Sequence, residues 1–198
     1  MNLTGWRSPL MTLALLALAG CAAGSIAGSA LEMVGIRKPV ELPDLQKPPR
    51  TVAIKLHASP NLNADAAGHP LALVARIYKL RQTTAFERAA FEGFLNVHTE
   101  RELLGNDLLE VKEIMLIPGQ RYEISEKVSR EAYYIGVVAL FRAPAERRWR
   151  LAFAADDAEK SGITIGLHAC AMSTGAGAAT AAGDNNTASK PLISVHCG

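Results

Sequence analysis

The apolar positions of this chain fall into three textures. Met11 to Ala19 is an almost unbroken apolar run, preceded by a start made weakly positive by Arg7 and the amino terminus. A helix that spans a bilayer needs about 20 such residues, so the run has the length of a secretory signal core. Residues 22–50 then lose periodicity. Gly24, Gly28 and Gly35 are followed by Pro39, Pro43, Pro48 and Pro49, with one apolar patch from Leu31 to Ile36. This composition reads as a flexible tether with a reach of roughly 30 Å.

From Thr51 the period becomes two. Val52, Ile54 and Leu56 alternate with Lys55 and His57, which predicts a half-buried strand. Leu71, Leu73, Ala75 and Ile77 predict the next, interrupted by Arg76 and Lys79. Val111–Ile117 and Arg121–Val128 flank the turn signal Pro118-Gly119. Tyr133–Phe141 is apolar on both faces and predicts a central strand; Arg148–Phe153, Ile163–Leu167 and Leu192–Cys197 complete the set. One segment has helical spacing: Phe86, Ala90 and Phe94, with Phe91 beside them, form a stripe within Thr84–Leu95. A second short helix fits Thr99–Leu104, stopped by Gly105-Asn106. The expectation is a mainly β fold: a two-sheet sandwich of about eight strands, with a helical insertion between strands 2 and 3. Gly175–Ala188, rich in Gly, Ala, Thr, Asp and Asn, has too few apolar residues to order itself and reads as a loop.

Cysteine changes the picture at both ends. The apolar run closes on Leu18-Ala19-Gly20-Cys21, which resembles the bacterial lipobox. That resemblance implies removal of residues 1–20 and lipid, palmitate included, on Cys21. Ala22, where an Asp would retain such a protein in the inner membrane, is consistent with the outer membrane. The expected organisation is residues 1–20 as signal peptide, 21–50 as lipidated tether and 51–198 as sandwich domain. The chain has three cysteines. With Cys21 used by lipid, Cys170 and Cys197 remain in an oxidising compartment, where a disulfide is the default. Closing that loop is worth about 3.5 kcal/mol on the chain-entropy model. A symmetric hairpin across the Gly/Ala-rich loop would set Cys170 near Pro191 instead, so the last strand must shift for the sulfurs to meet. A zinc site built from His168, Cys170, His196 and Cys197 is the alternative. Adjacent His196 and Cys197 point to opposite faces of a strand, which suits four ligands poorly.

No catalytic constellation stands out: the chain has no nucleophile elbow, phosphate-cradling glycine loop or helical histidine pair. The net charge of +2 suggests neither nucleic acid nor an anionic surface as partner. Asp156-Asp157-Ala158-Glu159 reads as a solvated turn between strands. Arg142, Arg147, Arg148 and Arg150 around Trp149 read as a solvated strand face. Ser59–Pro70, between the first two strands, is long for a connection, and such loops are often functional or simply mobile. It runs Asn61, Leu62, Asn63, Ala64, Asp65, Ala66, Ala67, Gly68, His69, Pro70; its Asn, Asp and Gly residues are turn formers, and Leu62 is the expected exposed apolar tip.

Leu62-Asn63-x-Asp65, Gly68-x-Pro70 and Val74-Ala75-Arg76-Ile77-Tyr78-x-Leu80 resemble the type VI secretion outer-membrane lipoproteins, the TssJ family. The likeness continues through Phe91-x-x-Phe94, Leu104-Gly105-x-Asp107, Leu116-x-Pro118-Gly119, Tyr134-x-Gly136 to Phe141-Arg142, and Trp149-Arg150. It implies a transthyretin-like sandwich facing the periplasm, neither an enzyme nor a binder of cofactor, metal, nucleic acid or small substrate. The implied partners are the periplasmic C-terminal region of TssM and other membrane-complex subunits. The implied contact loop is Asn61, Leu62, Asn63, Ala64, Asp65, Gly68, His69 and Pro70. The rival expectation is a small-ligand or metal-binding envelope lipoprotein.

Overall fold

The alternation that begins at Thr51 produces the central strand of the first sheet. β1, Arg50–Ala58, buries Val52, Ile54 and Leu56 completely and exposes the residues between them. The computed structural model describes residues 43–175 and 196–197, which belong to one compact unit beginning at Pro43. Cys21, the signal, most of the tether, most of the Gly/Ala-rich loop and most of the expected strand at Leu192–Cys197 lie outside the described residues.

After β1 come β2 (Leu73–Leu80), α1 (Thr84–Arg88), α2 (Val97–Leu104), β3 (Leu108–Leu116), β4 (Arg121–Val128), β5 (Tyr134–Ala139), β6 (Arg150–Ala154), α3 (Ala155–Ser161), β7 (Ile163–Leu167) and β8 (Met172–Thr174). They form two four-stranded sheets, ordered β4-β1-β7-β8 and β3-β2-β5-β6. The β-sandwich with a helical insertion after its second strand is therefore the fold. β1 and β2, consecutive in sequence, lie in different sheets, which is why the connection between them is long. β1 also pairs in parallel with β7, Ile54 opposite Ile163 and Ala58 opposite Leu167, a pairing that period-two alternation does not announce.

β2 is buried on both faces. Lys79 reaches Glu126 of β4 across the sandwich, while Tyr78 turns the other way, against Phe86 and Phe94 of the insertion. Phe86 is fully buried, and its ring lies over Gly136 of β5, where an added Cβ would come within 2.7 Å of it. Burying each such ring or aliphatic side chain contributes about 1.5–3 kcal/mol. At the edge formed by β3 and β4, Lys112 and Lys79 both pair with the buried Glu126. Inward charges of this kind oppose pairing with a foreign strand.

Three expectations are corrected. Thr84–Leu95 is not one helix: α1 ends at Arg88, Ala89 and Ala90 are extended, and Phe91–Phe94 is a single 3-10 turn. The guanidinium of Arg150 donates to the carbonyl oxygens of Phe86, Glu87 and Ala89, the groups a continuing helix would use, and lies 4.7 Å from the Trp149 ring centroid. The arginine group is thus no solvated strand face: Arg150 is half-buried, Arg148 is buried, and only Arg142 and Arg147, on a loop, are exposed. The acidic run at Asp156–Glu159 is not a turn but part of α3. Asp156 and Asp157 sit in its first turn, where the helix dipole favours negative charge. Asp156 binds the buried Arg50 at 2.8 Å, and Glu159 binds Arg130, which donates to the Pro48 carbonyl. β8, Met172–Thr174, pairs with β7 in a short hairpin that the alternation does not announce, and of the expected strand at Leu192–Cys197 only His196 and Cys197 are described, neither of them in a strand.

Candidate functional site

The connection after β1 is hydrogen-bonded to three others, those between β3 and β4, β5 and β6, and β7 and β8. Ser59 donates its amide to Leu167 and accepts from the amide of Gly119 in the β3–β4 turn. Asn63, at φ 47, is the hub. Its amide donates to the His168 carbonyl at 3.0 Å, its Nδ2 donates to the Ala72 carbonyl at 2.8 Å, and its Oδ1 accepts from the Arg142 amide at 2.8 Å. Asparagine tolerates this left-handed backbone because its short side chain bonds locally. Ala64 adds an amide bond to the Ala169 carbonyl, and Asn61 accepts from the Ser59 hydroxyl.

Leu62 is corrected. It is fully buried in the main core, not an exposed tip. A leucine between two asparagines reads as exposed, but the turn that Ser59 closes with the Leu62 amide directs it inward. Leu62 and Asn63 therefore secure the loop, and what reaches solvent is Pro60, Asn61, Ala66, Ala67, Gly68, His69, Pro70 and Leu71.

The tip is closed by Asp65. Its Oδ1 accepts from the amides of Ala67 and His69, its Oδ2 lies 3.1 Å from His69 Nδ1, and its own amide donates back to the His69 carbonyl. Gly68, at φ 83, makes the turn a side chain would resist. The His69 amide bond, aided by the His69 ring and the Ala67 amide, holds the Asp65 carboxyl below its usual value. A group depressed on folding stabilises above its unfolded pKa, about 4, and loses that contribution as the pH falls through the folded value. The tip is expected to stay closed at neutral pH and open below that window. The check is the Ala67 and His69 amide chemical shifts, which should move together with the Asp65 carboxyl in an NMR titration, with a midpoint below the reference of about 4; a midpoint at or above that reference would refute it.

Beside the loop, Cys170 and Cys197 are joined as a disulfide with Cα atoms 5.6 Å apart. Cys170 lies not on a strand, as a symmetric hairpin would require, but in the tight turn from β7 to β8; Pro191 lies outside the described residues. The bond consumes both thiolates that the zinc alternative required. His168 instead places Nε2 2.9 Å from the Ser173 hydroxyl, and burial, then the Arg148 charge, hold its pKa below the usual value and favour the neutral ring. No cluster suited to a metal ion occurs among the described residues.

The model of the type VI secretion lipoprotein family (VasD, EvfM, TssJ, VC_A0113) matches residues 50–170, from the first residue of β1 to the disulfide cysteine. The chain belongs to the type VI secretion lipoprotein family. Among solved structures, TssJ1 from Pseudomonas aeruginosa, a T6SS lipoprotein, is 32% identical with a TM-score of 0.57, over 69% of this chain and 98% of that one. A chain of a structure described as a type VI membrane complex is 25% identical with a TM-score of 0.58, over 63% and 97% of the two chains. A chain of a structure described as the T6SS protein TssM C-terminal domain (869–1107) from EAEC is 25% identical, TM-score 0.54, with the same coverage. No curated protein sequence matches. The match takes in nearly all of the TssJ1 chain as solved, and in this chain the sandwich belongs to the compact unit that begins at Pro43.

Proposed function

We propose that this lipoprotein is an outer-membrane-anchored subunit of the type VI secretion membrane complex. In this reading residues 1–20 are removed, Cys21 carries lipid, and the sandwich faces the periplasm. The loop after β1 binds the periplasmic C-terminal region of TssM. The protein acts by holding and recruiting, with no reaction to catalyse. The observation that carries the reading is the loop itself: Asn63 and Ala64 bind it to two other loops, so its exposed tip is presented in one fixed shape. A pre-ordered tip spares the entropy cost of ordering on binding. Family membership and the two neighbours from structures named for the membrane complex and the TssM C-terminal domain support the same partner.

The test is the affinity of residues 43–198 for the purified TssM periplasmic region. Ala66→Gln with Ala67→Gln and Pro70→Ser alters exposed side chains and spares Leu62, Asn63 and Asp65. Affinity is expected to fall at least tenfold, about 1.4 kcal/mol, with the melting temperature unchanged. Equal affinity in both proteins would remove the loop from the interface. Substituting Leu62 or Asn63 would be uninformative, because both hold the fold.

A further inference from the structure

The segments bonded to the base of the loop carry basic side chains that the binding reading leaves unused. Arg142 and Arg147 lie on the β5–β6 connection and Arg121 is the first residue of β4; all three are exposed, as is His69 at the tip. Hydrogen bonds fix their proximity to the loop. The Arg142 amide donates to Asn63. The amide of Ala145, two residues before Arg147, donates to the Cys170 carbonyl, next to the Ala169 carbonyl that receives Ala64. Arg121 follows the turn whose Gly119 amide donates to Ser59. The acidic residues on these same segments are Asp65, engaged by His69 and two amides, and Glu146, almost fully exposed and 3.9 Å from its neighbour Arg147. An exposed pair of that kind neutralises little.

Arg147 also stands at φ 58, a left-handed backbone that an L-residue adopts at a cost. The flanking chain imposes it: Arg148 donates its amide to Ala145, and its carbonyl accepts from Met172. The result is a strained turn that keeps an unburied guanidinium on the connection bonded next to the loop. Strain of this sort persists where surrounding structure over-determines it, and it concentrates at functional sites.

We propose that Arg121, Arg142 and Arg147 form a basic rim around the loop, and that the protein surface it meets is acidic. This rests on the binding reading above and specifies the chemistry of the partner's face. A charged rim acts chiefly on encounter, raising the association rate by long-range attraction that salt screens, while the buried contacts set dissociation. A protein surface is favoured over a membrane because three arginines fall short of the about four to eight basic residues in clusters that read as lipid-binding.

The experiment measures association and dissociation of residues 43–198 with the purified TssM periplasmic region across a salt series, with and without Arg142→Glu/Arg147→Glu. The expected result is an association rate at least tenfold lower at low salt, a difference that shrinks as salt rises, and a dissociation rate within about twofold. Melting temperatures should agree, because neither guanidinium is needed for the fold. An unchanged association rate and salt slope, in a protein whose loop-tip variant still loses affinity, overturns the rim and leaves the loop reading intact. No binding by the unsubstituted protein overturns both. Capture on phosphatidylglycerol vesicles that the double variant loses, with association to TssM unaltered, assigns the rim to lipid and also overturns the proposal.

Discussion

Phe86→Ala is expected to lower the unfolding free energy by about 4 kcal/mol, the range for emptying a buried aromatic site. The ring is fully buried, 5.4 Å from Tyr78 and 5.6 Å from Phe94 between centroids, and no side chain at Gly136 can relax into the space it leaves. Edge-to-face contacts in this cluster add about 0.5–1.5 kcal/mol per pair beyond burial. Urea unfolding measures the loss. Hydrogen exchange should place the increased opening in residues 84–104 more than in β1 and β7, because Phe86 is the only fully buried side chain of α1. A loss under 2 kcal/mol, below the about 3–5 kcal/mol usual for Phe→Ala, would mean that the insertion collapses onto β2 without its ring.

Glu100→Ala is expected to cost about 3 kcal/mol by a different route. Glu100 lies on α2 with 2% of its surface exposed, and its Oε2 binds Arg76 Nη1 at 2.6 Å. That same nitrogen donates to the Phe94 carbonyl, and Arg76 Nε donates to Glu113, which is mostly exposed. Without Glu100 the buried guanidinium keeps one solvent-screened carboxylate and one carbonyl. Tyr78 adds to the strain on any such change: burial, then the Glu100 charge, push its hydroxyl well above the ordinary tyrosine pKa, so it stays neutral and cannot replace the lost anion. Removing both charges as Arg76→Met with Glu100→Leu should recover most of the loss, since a buried pair is worth little more than apolar groups of its size. Chemical denaturation of the three variants decides it. A double variant no better than Glu100→Ala would show that the pair specifies the docking of α2.

The strands that carry their own alternation were legible, and the three-residue β8, too short to show one, was not. Ile163–Leu167 and Arg121–Val128 have the bounds their patterns predict. The insertion was legible as helical but not as broken, because the residue that breaks it, Arg150, lies in β6 and acts through three distant carbonyls. Leu62 shows the same limit at the site. Its neighbours Asn61, Asn63 and Asp65 mark a structured loop, as expected. Which side chain faces inward depends on partners at Ser59, Ala72, Arg142 and His168, and no local pattern contains them. Cys170 and Cys197 could be paired by counting, but their meeting required a turn after β7 that alternation did not reveal. Arg142 and Arg147 were grouped with Arg148 and Arg150 as one strand face, because nothing local marks residues 140–149 as a connection between β5 and β6.

β1 has a mechanical consequence. The chain arrives at Arg50, locked by Asp156 and by the Ala132 carbonyl, and leaves at Ala58 directly into the loop. Between them lie about 30 Å of strand, bonded along one edge to β4 and along the other to β7. A pull between the arriving chain and the loop runs parallel to this strand. It loads the hydrogen bonds of both edges together in shear instead of peeling them one by one. Tension between an anchored end and a gripped loop would thus be borne by the strand best placed to resist it, with the second sheet and the helical insertion left out of the line of force.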